Sequence, residues 1–495
     1  MIAVVLALLI VPLAAGIICA VLPTRNVRAA SVVTVAAGVA CFALVLALVP
    51  ATAHRDLSYL SYLRVDAVSA IFLLATGFLY AAVAVYAVGY TKRHEELYAR
   101  RFYAGLNLFA WSMLAAPLMS SLALLWIAVE VTTIISALLV AIEALPTEDG
   151  DGAAEAAWKY VLIASAGLSL ALLGTLLAYY AGSQVLGEHY NLAIAPLIGA
   201  GPHLAHTPVR LAFLLALLGY GTKVGLFPVH TWLPDAHSEA PTPVSALLSG
   251  SLLAVSFYAI LRFYQVAAAT EKGGGEVGGG FPRDALLAFG VASLLLAALY
   301  VFGQRDIKRL LAYSSVEHMG ILAVGVSFGA PVALAGVMLH VLAHAAAKGS
   351  AFMGAGVFTV KFGSKEISLL RGGLDVLPWT GPLFLLAVFA LVAMPPSGIF
   401  RSEFQIVYGG LGAGHYAAAA VLVVLVTVAF FGLTASATRM LFTPAPRALN
   451  RSEPSIWMVI PVVAGIAVLF ILGLHPPAEL TSLIYRAVAQ LGAAR

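Results

Sequence analysis

Titratable side chains interrupt the apolar segments of this chain. The stretch MLHVLAHAAAKGSAF places His340, His344 and Lys348 at i, i+4 and i+8, which is one stripe on a helix. Packing explains such a stripe poorly, so we interpret it as a proton relay. Two alternatives stay open. One is a structural polar seam. The other is zinc at the two histidines, which the nearby lysine and the lack of an HExxH glutamate disfavour.

A lysine also stands inside the apolar part of GTKVGLFPVHTWLPDAHSEAPTPVSALL, residues 221–248. A lysine removed from water releases its proton more readily than one in solution. Proline breaks a helix, and the prolines here open a gap for water beside Lys223. We therefore expect Lys223 to hold a transferable proton, with Glu130 in the run LLWIAVEV as its acidic partner. The alternative is a lysine that snorkels from a helix end.

Further ionisable residues accompany these two sites. Glu317 and His318, in SVEHMG, belong either to the relay or to its mouth, and Glu403 follows a second proline break. His230 and Asp235 are predicted nearer the surface, where Asp235 alternatively caps the short helix that follows. An ionisable group in hydrocarbon costs at least about 2.5–3.5 kcal/mol on insertion scales. These groups must therefore face one another or water.

Composition places these residues in a membrane. The chain of 495 residues is 62% hydrophobic and only 10% charged, whereas a soluble domain is nearer a quarter charged. One span takes about 20 apolar residues, and the sequence predicts an all-α membrane protein with about fourteen spans. The apolar segments lie near residues 2–22, 31–50, 66–90, 103–119, 121–142, 157–180, 208–236, 242–266, 284–303, 310–328, 332–361, 379–407, 415–441 and 454–474.

Segments seven and twelve share a pattern that predicts internal symmetry. Each starts as a long apolar helix, breaks at proline and glycine, and resumes with a charged residue nearby. Because the two are five segments apart, their orientations are opposite, as in the inverted repeats of ion carriers; two unrelated kinks are the alternative. The predicted division is 1–102 (helices 1–3), 103–266 (first five-helix repeat), 284–441 (helix 9 and the second repeat) and 442–495 (helix 14).

Charge and cysteine content narrow the classes of partner and cofactor. The net charge of +4 gives no sign of a nucleic-acid partner, and the two cysteines form no CxxC motif. The chain therefore has no iron–sulfur cluster of its own by cysteine ligation, and no nucleotide-binding loop is evident. Loops assigned to the inner side hold about twice as many basic residues as the outer ones, which predicts both termini outside.

Three motifs resemble a known family: TKVGLFPVHTWLPDAHSEAPTPVSALLSG, QRDIKRLLAYSSVEHMG and HVLAHAAAKGSAF. They are similar to the antiporter-like subunits of respiratory complex I, multi-subunit sodium/proton antiporters and membrane-bound hydrogenases. The resemblance covers roughly residues 60–440. It is strongest to component F of hydrogenase-4, found in formate hydrogenlyase complexes. It implies a prokaryotic cytoplasmic-membrane protein that moves protons, driven by redox chemistry in neighbouring subunits.

The resemblance also implies partners and residue roles. Other membrane subunits and a peripheral redox arm are expected. The iron–sulfur clusters and the nickel–iron or molybdenum centre lie in those partners, with no cofactor or metal here. Glu130 matches the glutamate of the family's fifth helix, Lys223 the lysine of its broken seventh helix, and Glu403 the acid or lysine of its broken twelfth helix, at the outward half-channel. The polar stripe of the eleventh helix corresponds to His340, His344 and Lys348.

One departure from the family concerns the eighth helix. Many members carry a lysine there, where this chain has Ala254. Water ordered by Ser251, Ser256 or Tyr258 would replace it, or pumping is impaired. The alternatives to a hydrogenase-linked pump are therefore a subunit of complex I or of a sodium/proton antiporter, and a membrane scaffold that transports nothing.

Overall fold

The computed structural model describes residues 1–144, 151–273, 280–445 and 449–492, and these are almost entirely helical. A small antiparallel hairpin, β1 (Leu57–Tyr59) and β2 (Leu63–Val65), precedes the third helix. The helices are α1 (Ile2–Val21), α2 (Val27–Thr52), α3 (Ala67–Tyr90), α4 (Glu96–Ala115), α5 (Leu122–Val140), α6 (Asp151–Leu186), α7 (Ile194–Ala200), α8 (His206–Val224), α9 (Trp232–Glu239), α10 (Thr242–Leu247), α11 (Leu253–Gly273), α12 (Gly280–Tyr300), α13 (Ile307–Phe328), α14 (Pro331–Phe362), α15 (Gly373–Val376), α16 (Thr380–Leu391), α17 (Gly398–Gly412), α18 (Tyr416–Phe442), α19 (Ile456–Leu474) and α20 (Ala478–Gln490).

Long apolar helices dominate this architecture. Within the described ranges, eleven helices are long and apolar enough to cross a membrane, so the chain is a multi-pass membrane protein. The other predicted segments correspond to α4, to α8 with α9, and to α16 with α17. The helical positions agree with the prediction, while fourteen crossings and the inverted repeat remain predictions.

The two helices that carry the polar stripe and SVEHMG lie at the centre of the protein. In the most apolar 18-residue stretch of each helix, all residues of α13 and 94% of those of α14 are buried, whereas only 28% of those of α18 are buried. Helix α14 packs against α3, α13, α17 and α19. Titratable groups on α13 and α14 therefore face protein instead of lipid, as the cost of charge in hydrocarbon requires.

Both predicted helix breaks are present. Helix α8 ends at Gly225, whose φ of +81° is a left-handed conformation that glycine adopts without steric cost. Pro228 follows before α9 begins at Trp232. In the second break α16 ends at Leu391 and Pro395 and Pro396 intervene. Ser397 then caps α17 by accepting a hydrogen bond from the backbone N–H of Phe400. Each break exposes helix ends within the protein.

Among the numbered elements, four were not predicted: the hairpin, α7, α15 and the amphipathic helix α20. The apolar residues of α20, including Leu480, Leu483 and Ile484, pack inward at helical spacing. A buried ion pair joins α11 to the start of α3. Arg262 on α11 lies 2.6 Å from Asp66, whose carboxylate also caps α3.

Candidate functional site

Lys223 lies in the last turn of α8 and is fully buried. Its ammonium group donates hydrogen bonds to the hydroxyl of Thr133 at 2.6 Å and to that of Tyr160 at 2.7 Å. The Tyr160 hydroxyl also lies 2.8 Å from the Ser136 hydroxyl, and its ring packs on that of Trp232. Uncharged hydroxyl groups suit both the protonated and the neutral form of the amine, because they can donate as well as accept.

Close helix packing positions this lysine. A Cβ atom on Gly219, one turn earlier in α8, would lie only 2.5 Å from the backbone nitrogen of Ala171 on α6. Any larger residue at that position would push α8 away from α6. Trp232 fixes the break itself, because its indole N–H donates to the Thr222 carbonyl at 2.7 Å. This carbonyl is one of those that the end of α8 leaves available.

The predicted acidic partner is near but is not bonded to Lys223 directly. Glu130 accepts a hydrogen bond from the hydroxyl of Ser165 at 2.9 Å. Its second oxygen is buried, with no hydrogen-bond partner among the described residues. Thr133, which binds Lys223, lies one turn after Glu130 on α5. A hydroxyl group therefore stands between the carboxylate and the ammonium group, in place of the direct contact that we expected.

Helix α9 and the break before it carry Asp235 and His230, which the sequence analysis placed nearer the surface, and one residue that it did not assign. Asp235 lies inside this helix and pairs with Arg309 at 2.7 Å, so the suggestion that it caps the next helix is wrong. His230 is nearly buried in the break before α9. The unassigned residue is His237, which is fully buried and stacks on Phe352. Within the described part of the chain, neither of its ring nitrogens has a hydrogen-bond partner.

Lys348 is the last residue of the polar stripe on α14 and is fully buried. It donates to the carbonyl oxygen of Leu311 at 3.0 Å and to the hydroxyl of Ser314 at 2.8 Å. Glu317 lies one turn after Ser314 on α13 and is 7% exposed. Phe352, the residue on which His237 stacks, lies one turn after Lys348. His237 therefore lies beside the stripe of α14, near Lys348.

Three histidines and a glutamate lie between Lys348 and the second helix break. His318 Nδ1 lies 3.1 Å from His340 Nε2, and His340 Nδ1 lies 2.9 Å from the Ser402 hydroxyl. The rings of His318 and His344 are 5.1 Å apart. Glu403 Oε1 lies 3.9 Å from His318 Nδ1. The stripe on α14 thus meets α13 and α17 through side-chain contacts.

The hydrogen-bond pattern assigns the tautomers of His318 and His340 in their neutral form. Ser402 donates its proton to the Ile399 carbonyl at 2.8 Å, so its oxygen accepts from His340 Nδ1–H. His340 Nε2 is then an acceptor and receives the Nδ1–H of His318. His318 Nε2 remains as a bare acceptor, buried and with no partner among the described residues. When a proton arrives at His318 Nε2, the Nδ1 of the same ring can therefore pass its own proton to His340.

The same side chains have the donor set of a metal site. The ligand atoms of His318, His340 and Glu403 lie within 4.8 Å of one another. Imidazole and carboxylate are zinc ligands. This set differs from the pair His340 and His344 that the sequence analysis considered, because His318 faces His340 from the neighbouring helix.

Ala254 is buried on α11, just after a π-helical turn at Leu248–Leu252. The residues expected to order a water in place of the missing lysine already have protein partners. Ser251 donates to Thr76 at 2.8 Å, Ser256 to the Leu252 carbonyl at 2.9 Å and Tyr258 to the Pro117 carbonyl at 3.2 Å. Ser249, from the same turn, lies 2.8 Å from the Ser315 hydroxyl on α13. The structure thus places side-chain hydroxyl groups near this step.

The family model described as "NADH:quinone oxidoreductase/Mrp antiporter, TM" matches residues 119–431. The chain belongs to this family and is an antiporter-like membrane subunit. It is similar to "Hydrogenase-4 component F homolog" of Methylacidiphilum infernorum, at 33% identity over 424 residues, which cover 84% of this chain and 86% of the relative.

Two solved structures share the fold. One is a chain of the Mrp complex from Dietzia sp., with a TM-score of 0.83 at 22% identity. The other is a chain of an archaeal membrane-bound sulfane sulfur reductase, with a TM-score of 0.86 at 20% identity. Each alignment covers 99% of this chain and 97% of the other. The recognised family is therefore confirmed, and both solved structures come from multi-subunit membrane complexes.

Proposed function

We propose that this chain conducts protons across the membrane as the antiporter-like subunit of a redox-driven complex of the hydrogenase-4 type. One observation carries the proposal: a row of buried ionisable side chains crosses the protein core from one broken helix to the other. Its buried members are Lys223, His237, Lys348, Glu317, His318, His344, His340 and Glu403, and the half-buried Glu130 stands at one end. Buried ionisable groups inside a membrane protein are costly and mark proton or ion pathways.

The contacts suggest how protons move along this row. Lys223 exchanges its proton at the first break, where hydroxyl groups hold the amine in either charge state. Lys348 does the same at the centre, bonded to one carbonyl and one hydroxyl. His318 then exchanges the proton with His340 at 3.1 Å and with Glu403 at 3.9 Å, beside the second break. His230 and Asp235, nearer the surface, serve the mouth on the side of α9.

The driving energy comes from partner subunits in this proposal. The chain itself holds no redox centre or metal, and iron–sulfur clusters with a nickel–iron or molybdenum centre belong to a peripheral arm. The similarity to a hydrogenase-4 component F homologue supports this assembly. A complex I or sodium/proton antiporter subunit is the second candidate, since the family includes both. Ala254 favours the third, a scaffold without transport.

Partner identity separates these candidates. A complex purified from prokaryotic membranes through a tag on this chain is expected to contain a nickel–iron hydrogenase or formate-oxidising subunit. In sealed vesicles it should take up protons only during electron transfer. Metal analysis should find iron and nickel or molybdenum in the complex and no stoichiometric metal in the chain alone. An NADH-oxidising arm, or no redox subunit, would contradict the hydrogenase assignment; redox turnover without proton movement would support the scaffold.

We also propose that both termini lie on the outer side of the cytoplasmic membrane. Reporter fusions after Arg101 and after Lys308 are expected to report cytoplasm, because basic residues concentrate in these loops. Fusions after Lys272 and at the C-terminus are expected to report the outside. A cytoplasmic C-terminus would remove one crossing and, with it, the opposite orientation of the two broken helices.

A further inference from the structure

A polar groove of about 480 Å³ lies where α12, α14 and α18 end. Three guanidinium groups line it, from Arg305 after α12, Arg371 after α14 and Arg439 in the last turn of α18. One acid, Glu366, also lines the groove, and its carboxylate accepts a hydrogen bond from the hydroxyl of Ser368. The groove therefore carries an excess of positive charge contributed by three separate elements.

The three arginines have no protein partner to neutralise them. None of their guanidinium groups makes a hydrogen bond or an ion pair with another residue in the described part of the chain. This contrasts with Arg309 nearby, which is paired with Asp235 at 2.7 Å. Like charges held together without counter-charge repel one another, and an anion in the groove would relieve that repulsion.

The backbone that carries the arginines is ordered by hydrogen bonds between two loops. The N–H of Ile367 donates to the Arg305 carbonyl at 2.7 Å, and the N–H of Ile307 donates to the Lys365 carbonyl at 3.1 Å. Asp306 and Glu366 form an antiparallel bridge between the same loops. The groove is thus part of a preformed surface, which reduces the entropic cost of binding.

Apolar side chains directly flank the polar lining. Phe302, Leu369 and Phe442 adjoin the lining residues in sequence, and each exposes 40% or more of its surface. Phe302 and Phe442 lie at the ends of α12 and α18, both long and apolar enough to cross a membrane, where a bilayer changes from headgroups to hydrocarbon, and Leu369 lies in the loop between α14 and α15. A ligand that combines a phosphate with acyl chains matches this neighbourhood. A free anion would make no use of the apolar rim.

We infer that this groove binds the phosphate headgroup of an anionic phospholipid, with its acyl chains against the apolar rim. Guanidinium groups bind phosphate oxygens through paired hydrogen bonds, and basic pockets between membrane helices are suited to anionic lipid headgroups. The lipid would join α12, α14 and α18, and so would brace the second broken-helix half of the protein.

The test compares two triple variants of the full chain in its complex. One is Arg305→Gln, Arg371→Gln and Arg439→Gln in the groove. The matched control is Arg25→Gln, Arg28→Gln and Lys92→Gln, which removes the same charge from exposed positions elsewhere. Native mass spectrometry measures retention of phosphatidylglycerol, cardiolipin and phosphatidylcholine. The wild type and the control should retain the anionic lipids, and the groove variant should bind them about tenfold more weakly or worse.

Two further measurements keep the proposal falsifiable if the groove variant fails to assemble. A photoactivatable phosphatidylglycerol should label wild-type peptides that contain Phe302, Leu369 or Phe442. Inorganic phosphate at the same concentration should not displace the lipid. Equal retention of phosphatidylcholine, equal losses in the two variants, labelling elsewhere, or displacement by free phosphate would each overturn the assignment.

Discussion

Replacing Lys223 with arginine is expected to reduce proton transport by about tenfold or more, equivalent to about 1.4 kcal/mol or more in the barrier. A guanidinium group does not deprotonate in proteins, so the variant keeps the charge and loses the exchangeable proton. Lys223→Ala should fail to the same extent. Assembly should survive in the alanine variant, because Tyr160 keeps its contact with Ser136. Proton uptake by vesicles containing the whole complex, followed together with redox turnover, measures the effect.

A second buried lysine provides the control. Lys308 is 8% exposed and donates to the carbonyl oxygens of Ala240 and Ser238. A guanidinium group can donate to these carbonyl oxygens as an ammonium group does, so Lys308→Arg should pump normally. Normal pumping by Lys223→Arg would show that this position need not exchange its proton, and the proposed mechanism would be wrong. Loss in both variants would point to a steric effect of the larger side chain.

The sequence predicts the helices and their breaks well, for a physical reason. Hydrocarbon admits only long apolar helices, so a proline or a charge inside such a segment is conspicuous. Lys223, Lys348 and Glu403 were all selected in this way, and all three are buried in the core. The position of each residue along its helix follows from its spacing to neighbouring residues, and a single sequence contains this information.

Contacts between helices were harder to predict, because spacing along one helix does not determine what lies opposite. The stripe on α14 was predicted, but the 3.1 Å contact of His340 with His318 on α13 was not. Thr133 and Tyr160 gave no signal, since a hydroxyl group in an apolar segment is common. His237 stands within the LPDAHSEAP motif and was left unassigned because nothing local distinguishes it from a surface residue.

Amphipathic and short elements escaped prediction for a related reason. The 13 residues of α20 are too few for a span, and its apolar face is evident only once α3 and α14 are in place beneath it. The ion pair of Arg262 with Asp66 joins residues far apart in the chain. The Asp66 carboxylate caps α3, and this cap alone does not reveal the arginine.

Replacing Glu403 with glutamine is expected to stop transport from the opposite end of the row, again by about tenfold or more. The substitution preserves size and removes the group that takes up and releases the proton. Glu403 Oε1 is buried and lacks a hydrogen-bond partner among the described residues, 3.9 Å from His318 Nδ1, so it offers the proton on this nitrogen an acceptor other than His340. Glu403→Asp keeps the carboxylate but shortens its reach, and should transport at an intermediate rate.

The matched control for this change is Glu479→Gln, which neutralises an exposed carboxylate at the start of α20. This variant should pump like the wild type. Ser402→Ala is a more specific comparison, because it removes the acceptor of His340 Nδ1–H and leaves the carboxylate in place. It should slow transport without abolishing it, since His340 can still bond to His318. If Glu403→Gln moved as many protons per electron as the wild type, the exit would have to lie elsewhere, and the histidine chain would be a structural seam between α13, α14 and α17.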